Sequence, residues 1–244
     1  LLEQHPDHSG LHYWAAETLR RLGDTENAQT AADRVIELQP AFQQSYHLEG
    51  LIARQDGRLE LAERYYRQAL GRDGNDLEAW IGLAALNFER GAIEQARAVV
   101  REGLEQTGQH PALLFEEASV LEALGELEAA KANYRLILNQ HPTHYPSLNN
   151  LALNLIELDG SSPEALEIAA SAYELAADDL QVQATYGWAL VNAGQAQEAL
   201  PLLESAVERV PDDGVMRRYL ATAYEALGRE EEARQQLQRA LELN

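Results

Sequence analysis

Apolar residues return in steps of three and four along almost the whole chain, as in Trp80, Leu83 and Ala84, and again in Ala96, Val99, Val100 and Leu104. That spacing lays an apolar stripe along one face of a helix. Between the two stripes lies a short polar break carrying Gly91, so the pattern predicts two amphipathic helices joined by a tight turn. The same arrangement recurs. Glycines stand at Gly23, Gly57, Gly91, Gly125, Gly194 and Gly228, and five residues after each comes an alanine: Ala28, Ala62, Ala96, Ala130, Ala199 and Ala233. Ala165 fills the same slot in the remaining unit, after a one-residue insertion around Asp159 to Pro163. Seven units of about 34 residues share this template, a period that marks a repeat architecture.

Each recurrent residue has a physical reason. A helix ends cheaply in a residue with positive φ only when that residue lacks a Cβ, which suits glycine to the turn. Alanine lets two helices approach closely, and a larger side chain there costs roughly 1–3 kcal/mol of overpacking strain. Pro6, Pro40, Pro142 and Pro211 fall where one helix must stop before the next begins, with Gly74 and Gly108 in that slot elsewhere. In the irregular fifth unit, Ser161, Ser162, Pro163 and Glu164 read as an N-cap with proline in the first turn. The expected fold is all-α, a right-handed solenoid of helix-turn-helix units at 9–42, 43–76, 77–110, 111–144, 145–179, 180–213 and 214–244. Residues 1–8 read as the end of a preceding unit's second helix, so the chain is expected to be part of a longer array.

Once the units are aligned, the chain resembles the tetratricopeptide repeat family, whose first helices carry Trp, Leu, Gly and Tyr and whose second helices carry Ala, Phe, Ala and Pro. Matching residues are Trp80 with Leu83, Tyr46 with Gly50, and Leu220 with Tyr224 in first helices. Second helices supply Ala62, Tyr66 and Ala69; Ala130 and Tyr134; and Ala199, Leu203, Ala206 and Pro211. Glu49 and Glu117 depart from the pattern, standing where leucine is usual. The resemblance implies a protein-binding scaffold rather than an enzyme.

Composition narrows the partner. The formal net charge is −21, and Lys131 is the single lysine. The average surface therefore repels phosphate backbones and anionic headgroups, and no strong basic patch offsets it. Nucleic acid and direct membrane insertion are not expected, since no apolar run approaches a membrane span. Cysteine is absent, which removes disulfides and thiolate metal sites and leaves the compartment open. Residue 1 opens no signal-peptide pattern, so an export signal, if one exists, lies outside these residues.

Reactive constellations are also missing. The histidine pairs His5/His8 and His141/His144 have chelating spacing but straddle a proline between units and lack a further ligand, so they read as polar turns rather than a zinc site. Asp178/Asp179 and Asp212/Asp213 fall where carboxylates cap helix starts. There is no glycine-rich phosphate loop and no nucleophile elbow. No catalytic residue, metal or cofactor is expected.

In the family that the chain resembles, first helices line a concave groove. Residues two, five, nine and twelve places into each unit share one helical face. That face carries Tyr13, Glu17 and Arg20, then Gln44, His47 and Arg54, then Ile81 and Phe88, then Phe115 and Ser119. It continues with Asn149, Leu153, Trp188, Arg218 and Thr222. Aromatic rings and arginines of this kind anchor protein interfaces, so a protein or peptide partner is expected there; Ile81, Phe88, Phe115 and Leu153 read equally well as packing against the neighbouring first helix, and Trp14 and Trp80 read as packing residues. The terminal-carboxylate clamp of chaperone-binding members is not matched, because its lysines are missing. A narrower resemblance, carried by Asn149, Asn150, Leu151, Ala152, Ala172, Tyr173, Gly187, Trp188 and Leu190, is to bacterial envelope repeat proteins of exopolysaccharide export or cell-surface protein sorting. It implies a periplasmic setting. A cytoplasmic assembly or regulatory adaptor and a self-associating scaffold are the alternatives.

Overall fold

The computed structural model describes residues 5–40, 42 and 44–243. Among them are fourteen α-helices and no strand. In chain order they are α1 (Ser9–Arg21), α2 (Thr25–Leu38), α3 (Gln44–Gln55), α4 (Leu59–Arg72), α5 (Leu77–Glu89), α6 (Ile93–Thr107) and α7 (Pro111–Ala123). Then follow α8 (Leu127–Gln140), α9 (Tyr145–Asp159), α10 (Pro163–Leu175), α11 (Leu180–Asn192), α12 (Ala196–Arg209), α13 (Gly214–Ala226) and α14 (Glu230–Glu242). The expected helical end of a preceding unit over 1–8 lies outside the described residues at 1–4. Residues 5–8 form a turn in which the His8 N–H donates to the His5 carbonyl at 3.2 Å.

The turns form as the glycines dictate. Gly23, Gly57, Gly91, Gly125, Gly194 and Gly228 all have positive φ, between 69° and 81°. At Gly57 the glycine N–H donates to the Arg54 carbonyl and the next N–H, of Arg58, reaches back to Ala53 at 2.8 Å. This double return satisfies carbonyls that the helix end leaves without partners. Helix starts are capped by Asp24, Asp76, Asp179 and Asp213, and also by the imidazole rings of His8, His110 and His144, each accepting from a backbone N–H two or three residues on. The expected cap at the insertion is only half present: Ser162 occupies the N-cap position and Pro163 the first turn, but the serine side chain makes no capping hydrogen bond.

The helices divide into two compact units, Leu1–Leu124 and Gly125–Asn244. In the first, α1, α3 and α5 each pair with the helix that follows, and each second helix also packs on the next first helix. Its core is built around Tyr66 of α4, fully buried against Gly50 of α3 and Gly82 of α5. A Cβ at Gly82 would lie 2.5 Å from the Tyr66 ring, and one at Gly50 closer still. Trp80 is buried as expected, its indole N–H donating to the Gly74 carbonyl at 2.8 Å. In the second unit the pairs α9 with α10, α11 with α12 and α13 with α14 pack in the same sequence. Leu203 of α12 takes the role of Tyr66, seated against Gly187. The alanines predicted to allow close approach, Ala28, Ala62, Ala96, Ala130, Ala165 and Ala199, are fully buried.

Candidate interaction face of the first helices

Within the first unit, α1, α3, α5 and α7 lie side by side, each touching the next. Tyr13 on α1 is half-buried and meets Phe42 edge-on at 5.5 Å and Trp14 at 5.8 Å. Trp14 itself is 66% exposed, which corrects its expected packing role: α1 packs on α2 and α3, and neither covers the indole. Glu17 is held by its own helix, accepting from Arg20 at 2.9 and 3.0 Å and from Arg21 at 2.6 Å. The Arg20 hydrogen bond holds its carboxyl below the ordinary carboxylate range. His47 on α3 is mostly buried, with Nδ1 3.9 Å from the Asp76 carboxylate.

Farther along this face, Arg54 of α3 reaches across to Glu89 of α5, donating from Nε at 2.8 Å and from Nη2 at 2.5 Å to the same carboxylate oxygen. Beside this pair is a cavity of about 270 Å³ lined by Arg54, Ala84, Ala85, Phe88, Glu89, Glu116, Ser119 and Val120. Its walls therefore come from α3, α5 and α7. Phe88 remains 42% exposed, although large apolar side chains lower their free energy by leaving water. Glu116 has no hydrogen-bond or ion-pair partner among the described residues, and burial raises its pKa while the Arg54 charge pulls the other way. Phe115 is half-buried one residue before it. A second cavity, of about 360 Å³, is walled by α4, α5 and α6, with Arg67, Leu70, Trp80, Val99, Glu102 and Gln106 among its lining residues.

In the second unit the corresponding helices are α9, α11 and α13. Trp188 of α11 lies half-buried and stacked on Tyr219 of α13, ring centroids 4.6 Å apart and planes 7° from parallel. Arg218 beside Tyr219 is exposed, with no ion-pair partner among the described residues. Thr222 donates to the Arg218 carbonyl at 3.0 Å, so its hydroxyl is already used by its own helix. Asn149 of α9 keeps only 8% exposure and donates to Asn150, which removes it from the open surface and makes it a packing residue.

The residues chosen from sequence thus divide. Tyr13, Phe88, Phe115, Trp188 and Arg218 carry the open or half-open chemistry, whereas Glu17 and Arg54 are neutralised by partners and His47 and Asn149 are largely covered. Sequence reasoning missed Glu116, which falls one place after the five-place slot and becomes part of the face only through the cavity. Among the described residues, no group of three or more His, Cys, Asp or Glu side chains gathers, and no helix is long and apolar enough to cross a membrane.

Comparison with known proteins agrees with this architecture. Family models of the tetratricopeptide repeat match residues 9–42, 53–114 and 190–244. Human general transcription factor 3C polypeptide 3 is 26% identical over 117 residues, covering 48% of this chain and 13% of that protein. Among solved structures, the Cut9–Hcn1 hetero-tetramer of the APC/C superposes with a TM-score of 0.79 at 16% identity, over all of this chain and 48% of that one. PilW, a type IV pilus biogenesis factor, gives a TM-score of 0.69 at 16% identity, over 88% of this chain and 97% of that one. This chain therefore spans less than half the length of the first two proteins, and the structural likenesses speak for the fold alone. With more than half of its residues matched by the repeat models, the chain belongs to the tetratricopeptide repeat family.

Proposed function

We propose that the chain is a non-enzymatic protein-interaction scaffold that takes a protein or peptide partner on its first-helix faces. The observation that carries this reading is the open cavity between α3, α5 and α7, with Phe88 left in water at its edge. Rigid aromatic rings over fixed apolar pockets are where interface free energy concentrates. In the second unit, the stacked Trp188–Tyr219 pair beside Arg218, which has no ion-pair partner among the described residues, offers aromatic surface of a flatter kind. Affinity capture from the native organism with wild-type chain, Phe88→Ala, Trp188→Ala and Arg67→Glu tests it. Loss of the captured partner by roughly 2 kcal/mol or more in the first two variants, with little change in Arg67→Glu, is the expected result. Capture abolished by Arg67→Glu and retained by Phe88→Ala and Trp188→Ala would move recognition to the second-helix side.

For the biological setting we favour a bacterial envelope assembly or exopolysaccharide export system. The support is the sequence resemblance around Asn149 to Leu190. Fractionation of the native cell tests it, with recovery in the cytoplasm pointing instead to an assembly or regulatory adaptor.

A further inference from the structure

We propose that the cavity between α3, α5 and α7 is a specificity pocket for a lysine or arginine side chain, presented by a basic protein segment with apolar flanks. This deepens the scaffold reading and rests on it. The volume, about 270 Å³, is just under the roughly 300–1,000 Å³ typical of small-molecule sites, so it suits one long side chain better than a drug-sized ligand. Its lining is apolar at Ala84, Ala85, Phe88 and Val120 and polar at Ser119, Arg54, Glu89 and Glu116, two carboxylates against one guanidinium. A side chain with a hydrocarbon stem and a cationic head matches that combination, because lysine and arginine bury their stems while their charge seeks polar partners. The open Phe88 ring adds a face that attracts cations.

The charges select the sign of the guest. Arg54 is already committed to Glu89 through two hydrogen bonds to one oxygen, so an acidic guest would have to break that pair to gain a counter-charge. Glu116 has no counter-ion of its own among the described residues and is poorly solvated, as the upward push of burial on its pKa indicates. An incoming ammonium or guanidinium relieves that cost, and an incoming carboxylate adds to it. The net charge of −21 draws the same class of partner from a distance.

The test selects displayed random twelve-residue peptides on the immobilised full chain, discards those that bind Phe88→Ala equally well, and measures the survivors by fluorescence anisotropy. The survivors are expected to share a lysine or arginine flanked by apolar residues. Replacing that residue by norleucine, or Glu116 by glutamine, should each weaken binding roughly tenfold, and the two together should weaken it little further. Glu116→Gln keeps size and shape, and a helical spectrum identical to wild type confirms that it folds. Phe88-dependent peptides that carry no cation, are acidic, or ignore Glu116→Gln overturn the pocket assignment and leave the first-helix face standing. If every selected peptide binds Phe88→Ala as well as wild type, the pocket assignment fails and the first-unit face fails with it.

Discussion

Glu49 occupies a position where the repeat pattern calls for leucine, and it is fully buried in α3. Its surroundings explain how it is tolerated and what it costs. Gln29 of α2 donates to one carboxylate oxygen, while Oε1 has no hydrogen-bond partner. Asp33 of α2, Arg58 at the start of α4 and Tyr65 of α4 are the other titratable groups around it. Burial, reinforced by the Asp33 carboxylate, pushes the Glu49 pKa up from 4.5 to about 8. The folded state therefore binds the Glu49 proton more tightly than the unfolded chain does. Stability from this group is full below about pH 4.5, falls as pH rises, and levels off above about pH 8. At about 1.4 kcal/mol per pH unit, the loss amounts to roughly 3–5 kcal/mol. Glu49→Gln keeps the shape and the acceptor for Gln29 but does not titrate. Urea unfolding should find it within about 1 kcal/mol of wild type near pH 5 and more stable by roughly 3–5 kcal/mol near pH 8.5. Parallel stability curves for the two proteins across that range would refute the argument, because they would mean that Glu49 is not protonated in the fold.

Three further outcomes follow from the packing. Gly82→Ala should destabilise the first unit by roughly 1–3 kcal/mol, since its Cβ would meet the Tyr66 ring, and a companion Tyr66→Phe change should not rescue it; thermal melts of the single and double variants check this. Gly57→Val, at a φ of 71°, and Ala62→Leu, in a fully buried slot, should each cost roughly 1 kcal/mol or more in urea unfolding, and unchanged midpoints for both would undo the turn and close-packing arguments. Burial, followed by the His141 charge, holds His144 below its ordinary 6.5, so the imidazole cap on Ser147 stabilises α9 above about pH 6.5 and is lost as pH falls through the lowered value; His144→Asn should remove that acid-side loss, worth roughly 0.5–2 kcal/mol.

The helices and their turns were legible because glycine and alanine act through local rules that need no knowledge of neighbours. Gly57 ends α3 wherever α3 sits, and Ala62 is small whatever it faces. The Asp179 and Asp213 caps were legible for the same reason. The face residues were less so. Trp14 and Trp80 share a residue type, but one stands six places into its unit and the other four, and that rotation puts Trp80 in the core and Trp14 in water. The pairing of Glu17 with Arg20 and Arg21 follows from three- and four-residue spacing and could have been read in advance. The Arg54–Glu89 pair joins two hairpins 35 residues apart, and needs the stacking offset to be known. Glu49 announced itself as a departure from the pattern, whereas Glu116 carried no signal at all until three backbones closed a cavity around it.

The two units present their first helices differently, and under the proposed function the difference bears on how one scaffold would distinguish partners. In the first unit the arginines of the face are consumed, Arg20 by Glu17 and Arg54 by Glu89, while Glu116, beside the cavity, has no ion-pair partner among the described residues. In the second unit the reverse holds: Arg218 is the exposed charge without a partner among the described residues, and the nearest aromatic surface is a stacked Trp188–Tyr219 pair rather than a hollow. A hollow with a carboxylate selects by shape and by the sign of one side chain, and a flat stacked pair with a guanidinium accepts planar or acidic groups with less regard to size. Discrimination against a wrong partner comes from leaving a desolvated charge unpaired, which is costly where burial is deep and mild where it is shallow. On the proposed reading the half-buried Glu116 sets the stricter condition of the two, and a segment that carries its cation out of register with the cavity is expected to lose more than one that misplaces its contact with Arg218.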